Sequence, residues 1–355
     1  MFIKKLILSI LKKKIIKLDA TIPNIRKFAF SKKKQFIYFI NNCSIITNSV
    51  DDAAYITNNS IIEGPSYQYR NSKNTSVKNN FIFNKLTFKF KKKIKGNLIS
   101  IISGGAAKHN YGHWLFDVLS RLLIIKKIYK FKASDYFYVP ALKYQFQIDT
   151  LNYLNIYKKH IISSEDNKHV YSKKIICTDH TFFHRFDLIT KKILLDIRGH
   201  FLKFKKKSKI KSSKRIFINR DYSKFNLNKN NIIKYKDERI LLNHKEIKTF
   251  LFKKGFKTIT LNNKSFADQI KIFSDAKEII SLYGAELSNL VFCSPKTKVI
   301  EIKNNNKSYD FLNISKKLSL RHTQINLKPI FKSSVSQNGI INCPIKLIDK
   351  ALKKM

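Results

Sequence analysis

The chain has 355 residues, and its 71 lysines and arginines against 23 aspartates and glutamates give a formal net charge of +48. This length exceeds what one hydrophobic core usually fills, so we expect two domains. A hydrophobic fraction of 43% excludes a disordered chain, and no apolar run reaches the roughly 20 residues of a membrane-spanning helix.

The basic residues occur in short runs along the whole chain, such as Lys91–Lys93 and Lys205–Lys207. A nucleic-acid-binding module more often gathers them in one stripe, and the sequence has no zinc-finger, helix-turn-helix or RNA-binding signature. The charge is therefore interpreted as a solvated, lysine-rich surface that attracts anions in general. We expect no specific nucleic-acid partner, although a nucleic-acid-associated protein stays open as the alternative.

The first 18 residues are basic and carry a broken apolar stretch with helical spacing. This pattern predicts either an amphipathic helix on an anionic membrane or a helix docked on the protein itself, and both alternatives stay open. The four cysteines form no CxxC pair, which argues against a structural zinc site and a disulfide framework and fits a reducing cytoplasm. They are Cys43, Cys177, Cys293 and Cys343.

From residue 97 onward, apolar strands alternate with helices, which is typical of a parallel α/β sheet. Residues 1–95 predict an irregular, β-rich extension, and residues 203–214 predict a basic linker without periodicity. We therefore expect an N-terminal α/β domain over residues 1–202 and a C-terminal Rossmann-like domain over residues 215–330. A tail follows over residues 331–355. The predicted strands include Leu98–Ser103, Tyr136–Val139, Lys174–Thr178, Arg215–Asn219, Phe256–Leu261, Glu278–Leu282 and Lys298–Ile302.

Two segments place chemically useful groups at the ends of predicted strands, where open α/β sheets bind ligands. The first contains His113 and Asp117, four residues apart on one helix face, which can together remove a proton from a hydroxyl group. The second is the turn Tyr283–Gly284–Ala285, whose backbone N–H groups can bind phosphate. The alternatives are an ordinary helix N-terminus for the first segment and an ordinary strand–helix connection for the second.

Six short segments, in the expected order, resemble glycosyltransferase family 61 over about residues 100 to 305. They are Asn110–Arg121, Ile216–Arg220, Arg239–Asn243, Gly255–Phe256, Ser265–Gln269 and Tyr283–Phe292. The resemblance implies a GT-B architecture, with two Rossmann-like domains facing across a cleft and the nucleotide sugar held mainly by the second. It also implies an inverting transfer that needs no metal and no cofactor, and the absence of a D-x-D triplet agrees with that.

The resemblance further implies a role for each matching residue. Asp117, with His113, is the expected base on the acceptor side, and Arg220 with the Gly284–Ala285 turn is expected to bind the diphosphate. The remaining residues expected on the donor side are Arg239, Asn243, Gln269, Tyr283, Asn289 and Glu301. Three positions differ from the family pattern: Tyr283 replaces a histidine, Glu286 a glycine and Ser120 a proline.

The function implied is a bacterial-type transferase in the cytoplasm, at the inner face of the membrane. It would move a sugar from a nucleotide sugar to a glycan or lipid-linked acceptor of a capsule, lipopolysaccharide or similar surface glycan, in peripheral contact with anionic lipid. A degenerate scaffold that keeps the fold without activity is a further alternative. Binding of nucleoside diphosphates distinguishes the enzyme from both alternatives.

Overall fold

The structure is a computed structural model that divides into two compact units, Met1–His184 and Arg185–Met355. The N-terminal helix predicted over the first 18 residues lies outside the described residues except for positions 15 and 16, and so does the predicted turn at residues 103–105. The described residues are 15–16, 25–31, 35–49, 52–66, 68–70, 73–75, 77, 80–83, 90–102, 110–179, 189–220, 222–223, 225 and 232–354.

The strands are numbered in chain order. They are β1 (Ile15–Ile16), β2 (Ile25–Ser31), β3 (Gln35–Ser49), β4 (Asp52–Thr57), β5 (Ser60–Ile62), β6 (Gln68–Arg70), β7 (Lys73–Thr75), β8 (Lys92–Ile94), β9 (Leu98–Ser100), β10 (Tyr136–Val139), β11 (Ile161–Ser163), β12 (His169–Thr178), β13 (Arg215–Ile218), β14 (Arg239–Leu241), β15 (Lys257–Ile259), β16 (Glu278–Leu282), β17 (Lys298–Asn304), β18 (Arg321–Leu327), β19 (Phe331–Lys332) and β20 (Gly339–Ile341).

The α-helices are numbered in the same way. They are α1 (Tyr111–His113), α2 (Ser120–Ile128), α3 (Gln145–Tyr153), α4 (Lys191–Phe201), α5 (His244–Lys253), α6 (Phe266–Asp275), α7 (Asp310–Lys317) and α8 (Ile345–Lys354). A π-helix, Trp114–Leu119, joins α1 to α2. The 3-10 helices are Phe81–Phe83, Lys158–His160, Leu202–Lys207, Ile232–Tyr235 and Ala285–Phe292.

The first unit is built on a mixed sheet with the strand order β1-β5-β4-β3-β12-β9-β10-β11. Strands β9, β10 and β11 are parallel, whereas β12 pairs parallel with β9 and antiparallel with the long strand β3. Ile40 and Ile175, partners across β3 and β12, are fully buried in its core. The β-rich N-terminal region therefore continues the same sheet as the α/β part.

The second unit is built on a parallel sheet with the order β15-β13-β16-β17-β18. One face packs its apolar side chains, including Phe217, Ile280 and Ile302, against Ile247 of α5 and Ile348 of α8. The predicted strands Tyr136–Val139 and Glu278–Leu282 have the observed bounds of β10 and β16. The α/β class predicted from the sequence is confirmed.

The boundary between the units differs from the predicted linker. Residues 202–207 form a 3-10 helix, and the hydroxyl groups of Ser208 and Ser212 donate to Asp268 and Asp275 of the second unit. Phe201 of α4 packs edge-to-face on Phe266, with 5.4 Å between ring centroids. The division consequently falls at residues 184 and 185, before α4, and the segment at 203–214 belongs to the second unit.

Residues 331–355 also differ from the predicted tail. Ile340 and Ile341 of β20, together with Ile348 and Ala351 of α8, are buried in the core of the second unit. Strand β20 pairs with β14, about a hundred residues earlier in the chain. No helix within the described ranges is both long and apolar enough to cross a bilayer.

Each of the two main sheets contains a strand at which the order of the connections reverses. In the second unit, β13 lies between β15 and β16, so successive connections run to opposite sides of β13. In the first unit, β9 lies in the same way between β10 and β12. Open α/β sheets bind ligands outside the carboxyl ends of the strands at such points. Ligand binding is therefore expected at the ends of β9 and of the β13–β16 pair.

Candidate active site

The helix that follows β9 begins at a well-formed N-cap. The Asn110 side-chain oxygen accepts from the backbone N–H groups of Gly112, at 2.9 Å, and His113, at 3.2 Å. These are two of the N–H groups that a helix start leaves without an internal partner. The cap fixes where the helix begins and so determines the direction in which His113 projects.

One turn later, His113 and Asp117 form a close pair. The Nδ1 atom of His113 lies 2.5 Å from Oδ2 of Asp117, and 21% of the histidine side chain is exposed against 9% of the aspartate. The second oxygen, Oδ1, is buried and has no hydrogen-bond partner among the described residues. Burial raises the pKa of Asp117, whereas His113 and Arg121 act in the opposite direction. Thus one oxygen of the carboxylate contacts His113, and the other has no hydrogen-bond partner among the described residues.

Asp117 belongs to a π-helix rather than to a regular α-turn. Trp114, at the start of this segment, is fully buried, and its indole N–H donates to Thr150 of α3 at 2.9 Å. The Ser120 hydroxyl donates back to the carbonyl of Phe116. Single π-turns inside helices occur frequently at functional sites. Trp114 is therefore a buried core residue at the start of the π-helix, and Asp117 lies within the same π-helix.

Arg121 ties this helix to the end of β9. Its guanidinium donates to three backbone carbonyls: Asp117 at 2.6 Å, and Ile101 and Ile102 at 3.0 Å each. The residue is only 3% exposed, and burial lowers the pKa of its guanidinium. Since a strand that ends leaves its last carbonyls without ladder partners, Arg121 satisfies them and holds Asp117 beside the strand end.

In the second unit, a pair of oppositely charged side chains lies over the turn that follows β16. Arg220, just after β13, places Nη2 3.4 Å from Oε2 of Glu286. A Cβ atom on Gly284 would lie 2.5 Å from the same Nη2 and would also meet the Glu286 carboxylate. The backbone at Gly284 is extended, with φ of 175°, so other residues could adopt its conformation, but a larger residue would displace the ends of the Arg220 and Glu286 side chains.

A second arginine lies beside this pair. Arg239 donates to the carbonyl of Tyr283 at 3.4 Å and to the side chain of Asn338 at 3.0 Å, and its guanidinium lies 5.5 Å from the centroid of the Tyr283 ring. Burial, followed by the nearby positive charge of Arg220, lowers the pKa of Arg239. Two arginines and a glycine turn thus meet where β13 and β16 end.

Besides its contact with Arg239, the Tyr283 side chain contacts residues at the start of α7. Its hydroxyl lies 3.1 Å from the Ser308 hydroxyl and donates to Asp310 at 3.3 Å, and its ring packs on Phe311. Burial raises the pKa of the phenol, so it stays protonated near neutral pH. The residue that replaces the histidine of the family pattern therefore has a packing role.

A sequence model of the family described as Glycosyltransferase 61 matches residues 111–300, which is more than half of the chain. The chain belongs to glycosyltransferase family 61. The match runs from the start of α1 into β17 and includes both clusters described above. The protein is accordingly a glycosyltransferase, with a nucleotide-sugar donor and a glycan acceptor in general terms. Among curated proteins, no relative matches the sequence.

The glycosyltransferase structure brings some predicted site residues together and separates others. His113 and Asp117 meet in the first unit, while Arg220, Arg239, Tyr283, Gly284 and the adjacent Ala285 meet in the second. Asn289 and Gln269 bond to each other at 3.0 Å and join the Ala285–Phe292 helix to α6. Both are buried, so they stabilise the packing behind the turn.

Asn243 and Glu301 also have structural partners. The Asn243 side chain pairs with the backbone of Cys343, donating to its carbonyl at 2.9 Å and accepting from its N–H at 3.0 Å. Glu301 is fully buried and accepts from Gln324 at 2.7 Å, with Nε2 of His322 at 3.0 Å. In the described structure, both residues have packing contacts. The donor contacts predicted for them stay predictions.

No role was predicted from the sequence for Arg121 and Lys303, which the glycosyltransferase fold places beside the two clusters. The spacing of Arg121, four residues after Asp117, could have indicated its position, but not its contacts with a strand end 20 residues earlier. Lys303 is 1% exposed, between the rings of Tyr283 and Tyr309, and burial lowers its pKa. Nothing in the local sequence distinguishes it from the other lysines.

Within the described part of the chain, no group of three or more histidine, cysteine, aspartate or glutamate side chains could hold a metal ion. The four cysteines are all buried and free. Both findings concern described residues only.

Proposed function

We propose that the second unit of this glycosyltransferase binds the diphosphate of a nucleotide sugar at the Arg220–Arg239 pair. The observation that carries the proposal is the meeting of two guanidinium groups with a glycine turn at the carboxyl ends of β13 and β16. An arginine fork matches phosphate oxygens, and the start of the Ala285–Phe292 helix adds backbone N–H groups.

On the acceptor side, we assign proton removal to the Asp117–His113 pair. His113 is its more exposed member, so the imidazole meets the acceptor hydroxyl, and Asp117 orients the imidazole and stabilises its positive charge. The hydroxyl oxygen attacks the anomeric carbon as its proton passes to His113. The bond to the diphosphate breaks on the opposite face, and the leaving diphosphate takes the electron pair. The transfer inverts the anomeric configuration.

The wider setting of the reaction is also part of the proposal. It comprises the GT-B arrangement of the two units, a transfer without metal or cofactor, and a surface glycan such as a capsule or lipopolysaccharide as the product. A lipid-linked acceptor at the inner face of the membrane would suit the strongly basic chain, because anionic lipids attract it. Family membership supports this setting. In it, the Arg220–Arg239 pair would bind the donor, and the Asp117–His113 pair would act on the acceptor.

Isothermal titration with UDP, GDP and CMP tests the donor site. We expect at least one nucleotide to bind, and Arg220→Ala to weaken that binding about tenfold or more, as is typical when a charged hydrogen bond is lost. Arg215→Ala is the matched control, because Arg215 begins the same strand at its opposite end and pairs with Glu278 at 2.8 Å. Its nucleotide affinity should equal that of the wild type.

If none of the nucleotides binds, the donor-site proposal fails and a scaffold without activity becomes the better interpretation. A nucleic-acid-associated protein would instead show a steep, salt-dependent affinity for nucleic acid that Arg220→Ala does not reduce. A screen of nucleotide sugars for hydrolysis by the purified protein then identifies the donor.

A further inference from the structure

We propose that Glu286 is an internal competitor of the donor diphosphate, which holds Arg220 in the empty site and takes it back after transfer, so that the nucleoside diphosphate product leaves. This inference rests on the proposed donor site. It adds a residue that tunes donor affinity and product release, without contact with the reacting atoms.

The first argument is the place of the carboxylate. Oε2 of Glu286 lies 3.4 Å from Nη2 of Arg220, directly over Gly284, where a Cβ atom would collide with both groups. An anion that accepts from Nη2 of Arg220 on the side of this turn would overlap the position of the carboxylate. Such an anion therefore displaces Glu286 from that nitrogen.

The second argument is that Arg220 is poorly satisfied by this contact. A charged N–H···O bond is usually 2.7–2.9 Å long, whereas the contact between Nη2 of Arg220 and Glu286 is 3.4 Å long. The Nε atom of Arg220 is buried and has no hydrogen-bond partner among the described residues. A phosphate group, with several oxygens, can accept from Nε and Nη2 at once, which one distant carboxylate oxygen does not.

The third argument is energetic. Both side chains are about one quarter exposed, and ion pairs of such exposure contribute little stability, so the pair can open. A diphosphate also reaches the positive field of Arg239, which lies close enough to Arg220 to shift its own pKa. Binding therefore displaces Glu286 at a modest cost, and the carboxylate remains near to compete when the sugar has left.

The test compares Glu286→Gln with the wild type, using UDP and GDP in titration calorimetry and stopped-flow dissociation. Removing one negative charge a few ångströms from the phosphate should tighten binding about tenfold. Most of the change should appear as slower dissociation. Glu278→Gln is the matched control, since Glu278 pairs with Arg215 and Lys298 at the other end of β16. Its nucleotide affinity should stay unchanged.

A double-mutant cycle separates this inference from the donor site itself. In the Arg220→Ala background, Glu286→Gln should have a clearly smaller effect than in the wild type, because the competition acts through Arg220. Unchanged or weaker binding in Glu286→Gln, beside a wild type that binds through Arg220, overturns the inference and leaves the donor site intact. If neither protein binds nucleotide, both proposals fall.

Discussion

Replacing Arg121 should destabilise the first unit far more than a typical substitution. In Arg121→Met, three buried carbonyls lose their partner: those of Ile101, Ile102 and Asp117. Losing several charged, buried hydrogen bonds from one group costs about 3–5 kcal/mol. For a unit of nearly 200 residues, this corresponds to a fall in Tm of roughly 6–20 °C.

The chain offers a specific probe for this measurement. Its single tryptophan, Trp114, is fully buried in the first unit, one turn before Asp117. Tryptophan fluorescence during urea unfolding therefore reports on the first unit alone, even if the second unfolds separately. Arg121→Lys keeps the charge but not the planar fork, so its stability should lie between those of the wild type and Arg121→Met.

Lys126→Gln is the matched control, because Lys126 is an exposed residue of the same helix, α2. Its free energy of unfolding should lie within about 0.5 kcal/mol of the wild type. If Arg121→Met also stayed within about 1 kcal/mol, then Arg121 would not be the tie between the helix and β9, and the reasoning about the position of Asp117 would be refuted.

Three further substitutions should change activity, nucleotide binding or stability selectively. Asp117→Asn should lower kcat about 10²–10⁴-fold with unchanged nucleotide affinity; a fully active variant would remove Asp117 from the reaction. Burial raises the pKa of Asp117 in the folded protein above the ordinary 3.8. The folded state therefore binds this proton more tightly than the unfolded state does, so the free energy of unfolding falls as the pH rises from the ordinary pKa through the folded-state pKa. The variant should thus have the higher Tm at pH 7, and this difference should vanish below about pH 4. Gly284→Ala should weaken UDP binding with little change in Tm, since the added Cβ displaces only the flexible ends of Arg220 and Glu286; unchanged UDP affinity would argue against phosphate binding at this turn. Asn243→Ala should cost about 1–3 kcal/mol of stability through its lost Cys343 contacts while UDP affinity stays the same; reduced affinity would instead indicate a donor contact.

Two residues at the turn after β16 that depart from the family pattern have different contacts in the structure. Tyr283 is buried, and its hydroxyl forms hydrogen bonds with Ser308 and Asp310, which fix its aromatic ring beside the turn. The carboxylate of Glu286 instead lies 3.4 Å from the guanidinium of Arg220. Tyr283 cannot carry the positive charge that a histidine can, but only Glu286 adds a negative charge beside Arg220, and it is the one whose replacement should alter affinity.

Local sequence patterns were sufficient for most elements beyond residue 97. Apolar runs between turn residues predicted β10 and β16 with their observed bounds. The spacing of four residues predicted that His113 and Asp117 share a helix face. Each of these predictions depends on interactions within a few residues, which a periodic sequence encodes directly.

The remaining contacts depend on residues far apart in the chain. Arg220 meets Glu286 across 66 positions, Asn243 meets Cys343 across 100, and β3 pairs with β12 across more than 100. Backbone pairing and side-chain packing decide such contacts, and no local period records them. The sequence alone thus determined the α/β elements and the resemblance to a glycosyltransferase. Only the tertiary structure shows that Asn243 bonds to Cys343, that Arg121 donates to the carbonyls just after β9, and that the Glu286 carboxylate lies beside Arg220.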